Sequence, residues 1–348
     1  MRGTSEKMRP KTSAEALGYS RPSLRDDRQW CPVSQETRLC RSMKATAQTL
    51  VRIVPIEKTY PADKGWVVVY ADLFKARLTF LVLLTTIVGF YVGSREPVDL
   101  RLMLHTVAGT ALVAGAASAL NQLWERRHDA KMRRTEGRPL PSGRLQPQTV
   151  LGVGCACALL GFVYLRLAVN PLTAWLGAGS PLGYLFVYTP LKRVTWLNTA
   201  IGAIPGGLPP LMGWAAARGE LSVEGWALFG IQALWQLPHF LAIAWIYRDE
   251  YARAGFKMLP VLDPQGRRTS RQALGFTLGL VGVSLAPFLL GVAGWFYLLG
   301  ALGLGLAFTW FAVQFARQLI LPRARQLFYV SILYLPLLLA LLALDKTR

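Results

Sequence analysis

Three oxygen-bearing side chains share one helical face in the stretch Asn121-Gln-Leu-Trp-Glu125-Arg-Arg-His-Asp129. Asn121, Glu125 and Asp129 follow one another at i, i+4 and i+8, and each step turns by only about 40° on a helix of 3.6 residues per turn. A row of oxygen donors suits Mg2+, which takes few protein ligands and completes its shell with water and substrate phosphates. Spacing alone gives equal weight to a charged helix end leaving a membrane. The neighbouring bases shift the balance, because Lys131, Arg133, Arg134, Arg138 and Arg144 come directly after. Acids that hold a cation, backed by bases that hold free phosphate oxygens, are the parts of a metal–diphosphate site. A second group repeats the plan: His239, then Tyr247-Arg248-Asp249-Glu250-Tyr251, then Arg253 and Lys257. His239, Ile243, Tyr247 and Glu250 lie roughly on one face, and Asp249 and Glu250 are the candidate metal ligands. For Arg248 and Asp249 a solvated turn is the competing reading.

Both groups end long apolar runs. The chain has 348 residues, 53% of them hydrophobic and only 17% charged, against about 25% charged in a soluble domain. That excludes disorder over most of the length, and four cysteines exclude a disulfide scaffold. Nine apolar runs follow one another at 78–93, 102–124, 148–169, 171–189, 196–217, 223–246, 273–292, 295–316 and 327–344. About 20 apolar residues cross a bilayer as a helix, and backbone groups in lipid must be satisfied within the segment. The expected fold is an all-α integral membrane protein with nine transmembrane helices around a central cavity.

Charge sets the expected topology. Fifteen Lys and Arg precede residue 78, seven lie in 125–147, six in 247–272 and three in 317–326, and Lys192 and Arg193 lie in 190–195. The alternate connections hold almost none. The positive-inside rule then places the N-terminus and the basic loops in the cytoplasm and, after nine spans, the C-terminus outside. The net charge of +20 is thus a topology signal that also suits anionic lipid headgroups, and it gives no reason to invoke nucleic acid. Residues 1–71 are expected to be a polar, partly disordered cytoplasmic extension and 72–348 the membrane domain. No secretory signal is visible, and Met43 is a candidate start. Trp66, Tyr70 and Phe74 mark 66–77 as an interfacial amphipathic lead-in. Cys31, Cys40, Cys155 and Cys157 lack metal-site spacing and read as structural.

Two further stretches point to a cavity. Leu197-Asn-Thr-Ala-Ile-Gly-Ala-Ile-Pro205-Gly-Gly-Leu-Pro209-Pro210 carries enough helix breakers to predict irregular backbone, tolerated at membrane depth only where protein or water covers it. Before it, Tyr184-Leu-Phe-Val-Tyr188-Thr-Pro-Leu-Lys192-Arg193 sets aromatics on one face and two bases at the mouth. Tyr188 is a candidate cavity residue, whereas Trp196 fits an interfacial belt. His239 lies well inside its span, where a hydrogen-bonded core histidine and a functional residue are both open. His105 reads as structural, and His128 lies in the basic loop, where it would meet a phosphate. The two acid-ended helices, four spans apart, form a weak internal repeat that would face both acid groups across a site between halves. Such a site suits prenyl transfer: cations neutralise a leaving diphosphate, and an allylic cation forms in an apolar, aromatic, water-excluding cavity.

Residues 72–344 resemble the intramembrane prenyltransferases of the UbiA superfamily, and within it the haem-farnesylating branch. The likeness rests on FKARLTFLVLLTTIVGFY at 74–91, NQLWERRHDAKMRRTEGRPLPSGR at 121–144, YTPLKRVTWLNTAIGAIPGGLPPLMGW at 188–214 and WQLPHFLAIAWIYRDEYARAGFKMLP at 235–260. It implies nine membrane helices and a Mg2+-dependent reaction; the N-terminal segment, too acidic for a mitochondrial transit peptide, points to a bacterial inner membrane. Farnesyl diphosphate, water and haem b would give haem o and diphosphate, with the product passing to a terminal oxidase or to a haem A synthase. By the same resemblance Asn121, Glu125 and Asp129 would bind Mg2+–diphosphate, Lys131, Arg134, Arg138, Lys192 and Arg193 the phosphate oxygens, and Glu250 would be the acid of the second site, while His239 is open as a haem contact and His128 as a phosphate or propionate contact. Two departures stand out: Glu250 takes the place of the usual Asp, with Asp249 beside it, and Ala76 replaces the usual Pro between Lys75 and Arg77. The rival readings are a prenyltransferase for a quinone precursor or chlorophyll-type ring, a transporter, and a non-catalytic oxidase assembly factor.

Overall fold

The computed structural model describes residues 65–347. The polar stretch before them, with Cys31, Cys40 and Met43, lies outside the described residues. Every regular element among the described residues is helical. α1 (Trp66–Leu73) straddles the expected boundary at 71 and buries Val69 and Leu73. α2 (Ala76–Gly93) and α3 (Leu100–Asp129) follow. Asp99 caps α3 by accepting the Leu102 amide at 2.9 Å. With 30 residues, α3 is about 45 Å long at 1.5 Å per residue, so it overshoots a hydrocarbon core of about 30 Å. Its overhang carries the acids.

α4 (Pro147–Ala168) starts on Pro147 and α5 (Pro171–Leu182) on Pro171, the first-turn position where a missing amide costs nothing. The Asn170 side chain accepts the Thr173 amide at 2.8 Å to cap α5. The fourth expected span is not one α-helix. It passes from α5 through a π-helical turn, Gly183–Tyr188, into α6 (Thr189–Val194). The fifth corrects the expectation of irregular backbone: α7 (Asn198–Arg218) is a continuous helix with Pro205, Pro209 and Pro210 inside it. Its glycines serve as contact points rather than breaks. A Cβ on Gly213 would collide with the Thr86 carbonyl and the Phe90 amide of α2, and one on Gly207 would meet Phe229. Small residues let membrane helices approach backbone to backbone.

The remaining elements are α8 (Val223–Ile246), α9 (Arg248–Arg253), α10 (Leu259–Leu262), α11 (Arg267–Ser284), α12 (Ala286–Leu289), α13 (Trp295–Arg317) and α14 (Leu321–Leu344). The largest core, with Leu241, Tyr297, Phe308, Phe315 and Tyr334, joins α8, α13 and α14. Among the described residues seven helices are long and apolar enough to cross a membrane: α2, α3, α4, α8, α11 running into α12, α13 and α14. The broken fourth run and the glycine- and proline-diluted α7 are not among them. Only 22% of the apolar stretch of α4 and 28% of that of α13 is buried within the protein. Their outward residues, such as Leu159, Leu167, Trp295, Leu306 and Trp310, are exposed, the pattern of a multi-span membrane protein whose sides meet lipid. Cys155 and Cys157 are free thiols on α4.

The last residues fasten the first and last spans. Lys346 Nζ donates to the Tyr91 and Ser94 carbonyls at the end of α2, at 2.9 and 2.7 Å. The Asp345 carboxylate accepts the Tyr297 amide at 2.7 Å in the first turn of α13.

Candidate active site

The helical row holds. Asn121, Glu125 and Asp129 are all buried on α3, and Asn121 Nδ2 donates to Glu125 Oε2 at 3.2 Å. Each acid carries its own cation. Lys192 Nζ donates to Glu125 Oε1 at 2.7 Å, and Arg138 Nη1 donates to Asp129 Oδ2 at 2.7 Å. Pairing of this kind is what makes buried carboxylates tolerable.

The π turn sets up the Lys192 pair. It re-aims the chain so that Thr189 Oγ1 lies 2.8 Å from the Tyr184 carbonyl and 3.1 Å from Asn121 Oδ1, linking α6 to α3. Lys192 Nζ then sits 4.5 Å from the centre of the Tyr188 ring and 5.9 Å from that of Tyr184. Burial works against its charge, but Glu125 and the two tyrosines outweigh it and hold its pKa above the ordinary lysine value. Single-turn π-helices recur at functional sites because they displace side chains from α register.

The second group reaches the first through its loop. Met132 is packed with Ala244, Ala254, Phe256 and Met258. This brings the Arg134 amide to 3.4 Å from Glu250 Oε2 and Arg134 Nη2 to 3.0 Å from the Tyr251 hydroxyl. The Arg134 guanidinium lies over the Tyr247 and Tyr251 rings, at 5.1 and 5.7 Å. Of the two neighbouring acids, Glu250 meets the loop that follows the first group, at the Arg134 amide. Asp249 does not: its side chain is 91% exposed and pairs loosely with Arg248 at 3.7 Å. Lys131 and Arg193 are exposed, beside His128, whose ring stacks on Phe256 at 5.4 Å. His239 is placed elsewhere. Its Nδ1 is 2.7 Å from Ser331 Oγ, and its ring lies between Trp235 and Phe328, so its contacts run between α8 and α14. His105 pairs with the Tyr164 hydroxyl at 2.7 Å.

Lys75 is the residue that the pattern of acids did not reveal. It lies between α1 and α2, within electrostatic reach of Glu125, Asp129, Arg138 and Lys192. Burial first, and then Arg138 and Lys192, bring its pKa down to about 7. In the sequence it stands as a base just before the first span, beside the Ala76 departure from the family pattern. Lys75, Arg134, Arg138 and Lys192 therefore face Glu125, Asp129 and Glu250, leaving an excess of positive charge for an anionic ligand. Among the described residues no three His, Cys, Asp or Glu side chains gather closely enough to cage an ion alone. One or two carboxylates and an amide oxygen still match what Mg2+ takes from a protein when a diphosphate supplies the rest. An open apolar groove lined by Leu120, Trp124, Leu185 and Phe186, with Arg126 at its edge, runs beside α3 on the side away from the acids; Trp124 and Phe186 are exposed in it.

The sequence signature of the UbiA prenyltransferase family matches residues 82–342. The chain belongs to the UbiA prenyltransferase family. This UbiA prenyltransferase is 49% identical over 286 residues to the protoheme IX farnesyltransferase of Solibacter usitatus, covering 80% of the chain and 98% of the relative. The protoheme IX farnesyltransferase of Salinibacter ruber is 46% identical over 276 residues, covering 79% and 98%. Among solved structures, a digeranylgeranylglyceryl phosphate synthase superposes with a TM-score of 0.69 at 16% identity, covering 80% of this chain and 98% of that one. A UbiA homologue from Archaeoglobus fulgidus, bound to DMAPP and Mg2+, gives 0.55 at 16% identity, covering 78% and 98%. Those structures share the fold.

Proposed function

We propose that this prenyltransferase moves the farnesyl group of farnesyl diphosphate to a vinyl carbon of haem b, with water, giving haem o and diphosphate. The observation that carries the reading is the buried set of acids each matched to a base, Glu125 with Lys192 and Asp129 with Arg138, in a chain whose near-full-length relatives are named for that reaction.

In this reading Lys75, Arg134, Arg138 and Lys192 bind the diphosphate oxygens, with Lys131 and Arg193 drawing the anion in from the loops. Mg2+, held by Asn121, Glu125 and Asp129 with Glu250 opposite, would neutralise charge on the leaving group when bound. Asp249 would serve only if its turn moved inward. As the bond between farnesyl C1 and its oxygen breaks, the electron pair leaves with diphosphate, and the bases are already in place to receive the charge. The Tyr188 and Tyr184 faces then lie beside the allylic cation, each worth about 0.5–2 kcal/mol. C1 bonds to the outer vinyl carbon, the inner one takes the positive charge, and water adds there with loss of a proton. His239 would meet haem through Nε2, since Ser331 engages Nδ1.

The same charge pattern supports a cell inner-membrane protein with its N-terminus and site on the cytoplasmic side and its C-terminus outside. Oxidase assembly proteins or a haem A synthase would take the product. The test is an assay in membranes with haem b, farnesyl diphosphate and Mg2+, read by mass spectrometry. A product heavier than haem b by one farnesyl group plus one hydroxyl is expected. Farnesylation of 4-hydroxybenzoate with haem b untouched would overturn the reading.

A further inference from the structure

Gln122 stands next to Asn121, yet its hydrogen bonds lead away from the acids and bases. It is fully buried, and its Nε2 lies 3.0 Å from the Asp72 carbonyl and 2.7 Å from the Leu73 carbonyl. These carbonyls belong to the last turn of α1, where a helix leaves carbonyls without intrahelical partners; the Asp72 carbonyl also accepts the Lys75 amide at 3.3 Å. On the same side, Val69 and Leu73 pack against Ala119, Leu140, Leu145 and Val150. The chain then turns sharply. Phe74 occupies the space left by Gly115 of α3, where a Cβ would come within 3.2 Å of its ring. Lys75 adopts φ 49 and ψ 54, the only positive φ of a non-glycine residue among those described. Such a conformation persists when its surroundings over-determine it. Here it leaves Lys75 on the α3 side of the turn, within electrostatic reach of Glu125, Asp129, Arg138 and Lys192.

We propose that Gln122 is a positioning residue for the diphosphate. By pinning the last turn of α1 to α3, it fixes the left-handed turn that carries Lys75 into the anion site. This rests on the reading of the site as a diphosphate site. It makes the residue beside Asn121 a fastener for the surface helix rather than a ligand.

The test uses the full chain in lipid nanodiscs, with Q122M, K75M, K75G and the double variant Q122M/K75M. Q122M is expected to raise KM for farnesyl diphosphate roughly tenfold, the weight of about one charge-assisted contact, and to leave KM for haem b unchanged. K75M should do the same, and the double variant should be no worse than K75M, because residues acting through one another are not additive. K75G, relieved of the left-handed cost, should melt no lower than the wild type while losing the same affinity. Losses that multiply in the double variant, or equal rises in both KM values for Q122M, would overturn the proposal. If Q122M does not fold, V69A loosens α1 from its apolar side and must raise KM for farnesyl diphosphate alone. If the wild type binds farnesyl diphosphate without farnesylating haem b, the assignment of the acceptor fails and the coupling is read from Kd for farnesyl diphosphate. If it binds none, both fail.

Discussion

Glu125 and Asp129 are held ready by bases that substrate would share. Neutral isosteres keep the shape and remove the charge. E125Q and D129N are each expected to cut turnover roughly 100- to 1,000-fold, the usual cost of losing one group that stabilises a leaving charge, and to lower the melting point, because Lys192 and Arg138 lose their buried partners; product mass per unit of folded enzyme checks this. The two neighbouring acids of the second group should differ. E250Q is expected to raise KM for farnesyl diphosphate about tenfold, whereas D249N, at an exposed carboxylate, should change it less than twofold. Lys75 predicts a pH effect. Its folded pKa lies near 7, below the ordinary 10.5, so between those values the unfolded chain keeps a proton that the folded chain has released. Folded stability therefore rises with pH across that window, and the cost of the buried charge is carried in full below pH 7. A bound diphosphate favours the charged form, so binding takes up a proton above pH 7. KM for farnesyl diphosphate is expected to rise between pH 7 and pH 9 more steeply in the wild type than in K75M. The acids were legible because oxygen side chains at i, i+4 and i+8 stand out against an apolar run. Lys75 was not, because its partners are some fifty residues or more away and its placement depends on a single left-handed residue.

At the scale of elements the reading of α7 shows where local propensity misleads. Glycine and proline end helices in water because solvent takes up the freed backbone groups. In lipid no such partner exists, so α7 stays helical and spends its glycines on close approach to α2 and α8. The π turn left no mark beyond Thr189-Pro190, since it is defined by hydrogen bonds rather than by residue type. Close approach is testable: G213A would place a methyl group on the Thr86 carbonyl. It is expected to destabilise the protein by about 1–3 kcal/mol, read as a lower thermal midpoint in detergent.

At the scale of the molecule the apolar runs, and hence the membrane class, were plain from hydropathy. How the ends meet was not. K346A removes two hydrogen bonds to the end of α2 and is expected to lower stability by about 1–3 kcal/mol, with both KM values intact; melting and kinetics on one preparation check this. The overhang of α3 has a consequence for what happens after chemistry. Because the apolar run of α3 ends at Trp124, before Glu125 and Asp129, the proposed topology sets the acids at the water side, and the two products of the proposed reaction separate by solubility. Diphosphate departs into water and the farnesylated macrocycle into the bilayer, so turnover needs no gate to sort them.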